Sequence, residues 1–435
     1  MHLVWHRADL RLHDHPALTA ALQQGPVLGV VVLDPLILGA TSPRRRAWFY
    51  ANTQALRTAY AQRGGVLLVR TGSPWEVLPR LANELGAQGI FAVRNSTPYA
   101  RFRDGQLEKA LPGRIRWFGG QYVQEPGTVL KPDGAPYTVF TPYSKRWWQA
   151  EQGRVLPAPE HFPALSLPAE IAQGEIPLEE AGVPLPPAGE DSALRVLEGF
   201  LRDRLAAYPR ARDLLDGSGV SRLSPYFTLG VLSPRLAVHQ ALQLGGEGAQ
   251  KWVNELIWRD FSGDLLYHHP RMLEAALDPR WEGLPQTDDP ELYGAWLQGQ
   301  TGIPVVDAGM RELQATGFVS NRARMVLAQF AVKLALIYWR PAERAFRDLL
   351  LDGDNASNLQ GWQWAGGLGV DAAPYFRVFN LTHQALTHDP GGVWLRKWVP
   401  ESGGNPEPYK PPVLDLEAAR RRYLEAAQRI AKGAR

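Results

Sequence analysis

Four short stretches of the sequence hold residue types, at workable spacings, that could do chemistry. Trp252, Glu255, Trp258 and Arg259 stand at i, i+3, i+6 and i+7, which on a helix puts them on one side. Two indoles, a carboxylate and a guanidinium make neither a core stripe nor an ordinary solvated stripe; an exposed ion pair between aromatics is the plain alternative. Asn321, Arg324 and Met325 stand at i, i+3 and i+4. Asparagine is a poor helix-interior residue, so Asn321 is either a cap or a deliberate hydrogen-bonding group. Its amide offers one acceptor and two donors, which suits the edge of a pyrimidine ring. Asp352-Gly353-Asp354 resembles the opening of a calcium loop. Ser357 and Gln363 stand where that loop needs glycine and glutamate, so no metal is expected. Trp362 and Trp364 are two residues apart, about 200° on a helix, and must serve different roles. Ser221, Arg222, Leu223 and Ser224 combine hydroxyls, backbone amides and a guanidinium in a turn, a phosphate cradle in outline.

The elements that must position these residues divide the chain in three. Up to residue 125, short apolar runs at 3–6, 27–34, 66–70, 89–93 and 114–118 alternate with helical patterns such as 44–62 and 75–85. That alternation predicts right-handed βαβ units and a doubly wound, five-stranded parallel sheet, an α/β domain. No Gly-x-Gly-x-x-Gly follows the first strand, so a dinucleotide fingerprint is unsupported there. Residues 126–191 are a proline- and glycine-rich linker. From 192 to 435 the pattern is all-α, with helical periods at 198–205, 234–244, 249–267, 305–315, 322–338 and 416–431. The 435 residues contain no cysteine, which excludes disulfides, thiolate metal sites and a cysteine nucleophile. A net charge of +3 supports no broad basic surface, so any nucleic-acid face must come from placement. No apolar run is long enough for a membrane span and the amino terminus turns charged at once, so a cytoplasmic protein is expected.

Together and in order, these stretches resemble the DNA photolyase/cryptochrome family nearly end to end. Further motifs carry the resemblance: Leu10-Arg11-Leu12-His13-Asp14, Gly230-Val231-Leu232-Ser233-Pro234, residues 255–261, Thr301-Gly302 with Val306-Asp307, and 352–380. The resemblance implies a class I cyclobutane pyrimidine dimer photolyase, with FAD bound in the helical domain and reduced when active. Tyr208, Ser221, Arg222, Leu223 and Ser224 would hold its phosphates and ribityl chain, and Arg324 would pair with Asp352 against the isoalloxazine. Asp354 would bind toward the adenosine, Asn358 would face flavin N5, and Trp252, Glu255, Arg259 and Asn321 would border the cofactor. Glu255, Trp258, Asn321, Arg322, Met325 and Trp364 would line the lesion cavity, with Glu255 raised in pKa by its indole neighbours. Arg212 and Arg377 would meet DNA phosphates of the UV-damaged substrate. Trp362 and Trp339 match the inner members of the family's tryptophan wire. Its outer member falls at Gln286, so either another aromatic such as Trp281 or Tyr338 serves or photoreduction is slow.

The antenna site departs from the folate pattern. Tyr99-Ala100-Arg101-Phe102-Arg103-Asp104 stands in place of an Asn-Glu pair, which favours FMN or 8-hydroxydeazaflavin, with Asp104 nearby. Family resemblance also implies a monomer. Within the family, a (6–4) photolyase would need histidines at 320–325, and there are none. A cryptochrome-type blue-light photoreceptor is the main alternative. Asn358 speaks against it, where plant members carry aspartate and insect members cysteine. A nucleotide-binding electron-transfer protein could share the α/β domain but would leave Trp258 and Trp364 unexplained.

Overall fold

A computed structural model describes residues 1–371 and 374–433. The chain packs as two compact units, the first comprising residues 1–137, 142–206 and 221–268, the second 138–141, 207–220 and everything from 269 onward.

In the first unit five parallel strands, β1 (His2–His6), β2 (Val27–Leu33), β3 (Leu67–Thr71), β4 (Ile90–Val93) and β5 (Ile115–Phe118), lie in the order β3-β2-β1-β4-β5. Helices α1 (Pro16–Leu22), α2 (Pro35–Gly39), α3 (Pro43–Gln62), α4 (Pro74–Glu84) and α5 (Pro98–Ala110) connect them. β1 and β2 are buried along their whole length, as a parallel sheet covered on both faces requires, and this is why they read as unbroken apolar runs. α6 (Phe140–Gln149), α7 (Glu190–Asp203), α9 (Ser224–Thr228), α10 (Pro234–Leu244) and α11 (Gly246–His268) follow.

The change to helix comes at Glu190, close to the expected 192, but helices α9 to α11 pack with the sheet. The Leu10–Asp14 motif explains this. Arg11 is fully buried and donates to the carbonyls of His13, Asp14, Gly120 and Gly230. Asp14, in a left-handed conformation, accepts from Ser233 and from Arg235. Gly230 has φ +60, and a Cβ there would lie 2.0 Å from the Ala8 carbonyl oxygen. The motif is a clasp between backbone segments rather than a chemical group.

The proline-rich linker is ordered because its backbone has partners. Gln173 O accepts from Val69 N of edge strand β3 at 2.8 Å, and Ala172 O accepts from Arg70. Phe162 stacks on Tyr60 at 4.5 Å, and Leu165, Leu167 and Ile171 pack against the sheet's core. An edge strand is thereby covered.

The second unit is helical: α8 (Tyr208–Ala211), α12 (Pro290–Gln298), α13 (Pro304–Thr316), α14 (Asn321–Gln329), α15 (Trp339–Leu349), α16 (Asn355–Gly366), α17 (Leu381–His388), α18 (Val393–Trp398) and α19 (Leu416–Lys432). The helix expected over 322–338 breaks after Gln329 into a π turn, Phe330–Leu334, and Leu336 then takes a left-handed φ of +52°. A buried lysine in this turn, Lys333, donates to Arg377 O at 3.0 Å, and burial pushes its pKa down to about 7. The Thr301-Gly302 and Val306-Asp307 motif is a structural turn: buried Asp307 accepts from the amides of Thr301 and Gly302, the Thr301 hydroxyl and the Tyr409 phenol. Among the described residues no helix is long and apolar enough to cross a membrane.

Candidate active site

α11 in the first unit carries the aromatic–acid face. It is held by Asp260 and Asp264, whose carboxylates accept from the amides of Val123, Gln124 and Gly127, with Trp147 Nε1 also donating to Asp260. Burial pushes Asp260 up to about 7 and Asp264 up to about 6, against the pull of those N–H donors. Trp252 is buried and packs on Phe200 at 5.1 Å, whereas Glu255 and Trp258 are part-exposed. The face is therefore real. Arg259 does not share it freely: its guanidinium donates to Gln121 O and Phe227 O and lies over Tyr122 at 4.5 Å, so it works as a pin for these segments.

The expected phosphate cradle also lies in the first unit. Leu223 is buried, Ser221 and Ser224 are part-exposed, and Arg222 is exposed with φ +57°. A non-glycine residue in that region stores strain of about 1–3 kcal/mol, which clusters at ligand sites. Burial first, and then the Arg222 charge, lower the pKa of Arg204. Arg204 escapes a reading of the sequence, because a lone arginine in a helix-to-turn segment carries no pattern. Arg204 and Arg222 thus both bring positive charge to this segment.

In the second unit Ser320 caps α14, accepting from Ala323 N at 3.3 Å. That settles the ambiguity at Asn321, which is not the cap. It is exposed at the helix start, with its Nδ2 3.7 Å from Met325 Sδ. Arg324 donates to both oxygens of Asp352, at 3.1 and 2.8 Å, as expected. Arg322 pairs with Asp213 at 3.1 Å, and Arg212 lies over Tyr208, which is itself buried. Asp354 caps α16 through the amides of Ala356 and Ser357. The carboxylate expected to bind toward the adenosine is thus committed to the helix start.

Asn358 is buried and its Nδ2 donates to Glu343 Oε1 at 2.7 Å. A carboxylate can only accept, so the amide NH₂ faces Glu343 and the carbonyl oxygen points elsewhere. Glu343 is fixed in turn by Arg347 at 3.0 Å. No motif points to Glu343, since its partner lies 15 residues away across a helix boundary. Trp362 is buried and Trp364 part-exposed, the opposite orientation their spacing demanded. Gln363 between them is structural, binding Leu277 N, Met272 O and Ala275 O. Trp339 is buried, and Arg377 is exposed.

A model of the FAD binding domain of DNA photolyase matches residues 252–429, and a DNA photolyase model matches residues 2–164. A protein of Thermus thermophilus named deoxyribodipyrimidine photo-lyase is 56% identical over 433 residues, covering 99% of both chains. The chain belongs to the DNA photolyase family. Among solved structures, a bacterial class III photolyase from Agrobacterium tumefaciens superimposes with a TM-score of 0.89 at 30% identity, covering 99% of this chain and 98% of that one. A cryptochrome from Synechocystis gives 0.87 at 28% identity, with 98% of each chain covered.

The residues present fit the FAD that the family's domain implies. An amide held in one orientation by Glu343 and a guanidinium paired to a buried carboxylate are groups that can meet the polar edge of an isoalloxazine ring. Asp104, expected near an antenna, is buried between Arg7 at 2.6 Å and Arg103 at 3.3 Å, so it orients two arginines. The outer wire position remains Gln286. Trp281 has Tyr375 as its ring partner at 6.2 Å, and among the described residues neither Trp281 nor Tyr338 is in ring contact with Trp362.

Proposed function

We propose that the protein is a class I cyclobutane pyrimidine dimer photolyase, which repairs UV-damaged DNA under blue light as a cytoplasmic monomer. The observation that carries the reading is the Glu343–Asn358 pair, an amide fixed in one orientation by a buried acceptor. Bound FAD, in its reduced form, supplies a light-driven electron. The chain's own residues do the rest. A dimer stacks and pairs poorly, so it flips out at lower cost than an intact base, as photolyases as a class require. Trp258 and Trp364 each offer an indole on which a flipped base stacks, worth ~1–3 kcal/mol per base. The exposed Asn321 amide and Glu255 hydrogen-bond the carbonyl and N–H edges, with Met325 filling space beside Asn321. Arg322 lines the lesion cavity with them, and Arg212 and Arg377 hold phosphates and fix register without reading sequence. Asn358, its NH₂ taken by Glu343, would be left with its carbonyl oxygen for the flavin N5 edge, and Arg324 with Asp352 would brace the ring.

A second chromophore would be held at the carboxyl end of the sheet, where β1 separates strands running to either side, the usual ligand crevice of a doubly wound sheet. Arg7, Arg103 and Asp104 stand there with Tyr99 bonded to Asp34 and an exposed Phe102, which suits FMN or 8-hydroxydeazaflavin. Release of a folate from native protein overturns this assignment.

The test is blue-light repair of an oligothymidylate carrying cyclobutane dimers by dithionite-reduced protein, followed by recovery of base absorbance. Light-dependent recovery, absent in the dark and weakened in Glu255→Ala, is expected. No recovery despite bound, reducible FAD favours the photoreceptor reading, for which the Synechocystis cryptochrome is a fold precedent.

A further inference from the structure

A chain of rings runs through the second unit from α16 to the outside of α12. Among the described residues, the rings against buried Trp362 are Trp296, at 6.0 Å between centroids and 89°, and Phe346 at 5.6 Å and 70°. Trp296 is 0% exposed, and its Nε1–H, a group that can only donate, has no acceptor among the described residues. Three residues earlier on the same helix, Tyr293 lies 5.9 Å from Trp296 with its ring tilted by 47°. Tyr293 is half-buried, and burial alone raises its pKa. A buried indole N–H with no acceptor costs free energy that packing alone does not require. Both steps fall within the 4.5–7 Å range of direct aromatic contact.

We propose that Trp362, Trp296 and Tyr293 form an electron conduit that branches away from Trp339 at Trp362 and takes the place of the route that would run through Trp339 to Gln286. The proposal rests on the reading of Trp362 as the residue next to the flavin. Photo-oxidation of Trp362 by the excited oxidised flavin leaves the indole one electron short. An electron from Trp296 refills it. Phe346 is a dead end, because benzene rings are much harder to oxidise than indoles. With no acceptor for its N–H proton, oxidised Trp296 cannot trap the vacancy by deprotonation, so the vacancy passes to Tyr293. Tyr293 gives up one electron inward and its phenolic proton to water, leaving a neutral tyrosyl radical. An exogenous thiol returns one hydrogen atom to the phenoxyl oxygen and becomes a thiyl radical, which pairs to disulfide. The balance is one electron delivered inward, one proton released and one thiol oxidised.

The experiment is time-resolved electron paramagnetic resonance after a blue flash on the FAD-loaded protein, grown with ordinary or ring-deuterated tyrosine. A radical whose spectrum narrows on deuteration is expected. It is lost in Tyr293→Phe, and in Trp296→Phe it is lost together with light-driven flavin reduction. Unchanged FAD absorbance shows that each variant folds, and Tyr293→Phe at its half-buried position carries the test if Trp296→Phe does not. A radical insensitive to tyrosine deuteration, or one that survives Tyr293→Phe, overturns the conduit. Trp362→Phe separates the two readings: loss of all radical there, with Trp296→Phe unaffected, sinks the conduit alone. A radical that persists in Trp362→Phe sinks the placement of Trp362 as well.

Discussion

At Asn358 the orientation of one amide decides what the site can offer. An asparagine presents a donor and an acceptor side of equal size, and only a neighbour that accepts but cannot donate makes the choice. Glu343 is that neighbour, and Arg347 holds it still. Glu343→Gln removes the discrimination, because a glutamine amide can accept from or donate to Asn358. The expected outcome is a protein that still binds FAD but whose reduced flavin reoxidises faster in air, followed by stopped-flow absorbance; an unchanged rate means Asn358 is held by something else. The same scale shows what the sequence could tell. The opposed Trp362 and Trp364 follow from spacing alone, whereas the pairing of Arg324 with Asp352, 28 residues apart, followed only from the family resemblance. Asn321 was ambiguous until Ser320 was seen capping the helix. Asp354 caps its own helix through amides two and three residues on. Arg259 and Asp104 look functional by residue type, yet Arg259 donates to carbonyls of Gln121 and Phe227 and Asp104 pairs with Arg7, all distant in sequence. Spacing carries no information about such partners.

At the scale of elements, the strands were legible because a parallel sheet buried on both faces writes itself as apolar runs, whereas the break after Gln329 was not. A single π turn stays helical and changes which carbonyl each amide reaches, so over five residues it leaves too small a shift in the hydrophobic period to read. Strand β1 and the turn after it also hold a titratable cluster. His6, fully buried, meets the Tyr60 hydroxyl at 2.7 Å and Asp9 O at 3.1 Å, while His15 caps α1 by accepting from Leu18 N and stands 3.0 Å from Asp9. Burial, and then the His15 charge, push the His6 pKa from 6.5 down to about 4. The neutral form is thus the folded form. Its stabilising contribution is complete above pH 6.5 and is lost as pH falls from 6.5 through about 4. His15 bonding pulls Asp9 far below the usual carboxylate range although burial opposes it, so its contribution survives until more acidic pH. Denaturant titrations of the wild type across that window should show stability falling with pH, and His6→Phe should flatten the slope. An unaltered slope in the variant places the acid sensitivity in another group.

For the whole molecule, the sequence pattern predicted an α/β domain to residue 125, a linker over 126–191 and an all-α domain from 192, and the packing draws its lines elsewhere. The helices from α9 to α11 belong with the sheet because Arg11 donates to the Gly230 carbonyl, because Asp14 accepts from the Ser233 and Arg235 side chains, and because Gly230 admits Ala8 at close range. Composition changes where helices begin, but compact units follow such buried clasps, which no hydrophobic period reports. Gly230→Ala combines a left-handed backbone with overpacking, each about 1–3 kcal/mol, and is expected to lower stability by about 2–6 kcal/mol in urea unfolding. A loss within experimental error means the clasp tolerates a shifted Ala8 and is not a determinant of the unit.

The covered edge of β3 has a consequence during synthesis. Arg70 and the Ala172 carbonyl that receives it are 102 residues apart in the chain. At ribosomal rates of about 5–20 residues per second, the growing sheet spends roughly 5–20 s with that strand finished and its guard not yet made. A nascent chain therefore passes through a stage at which its own edge can pair with that of a neighbour on the same message. Codon choice between residues 71 and 172, by setting the length of that pause, bears on yield without changing a single contact of the finished protein.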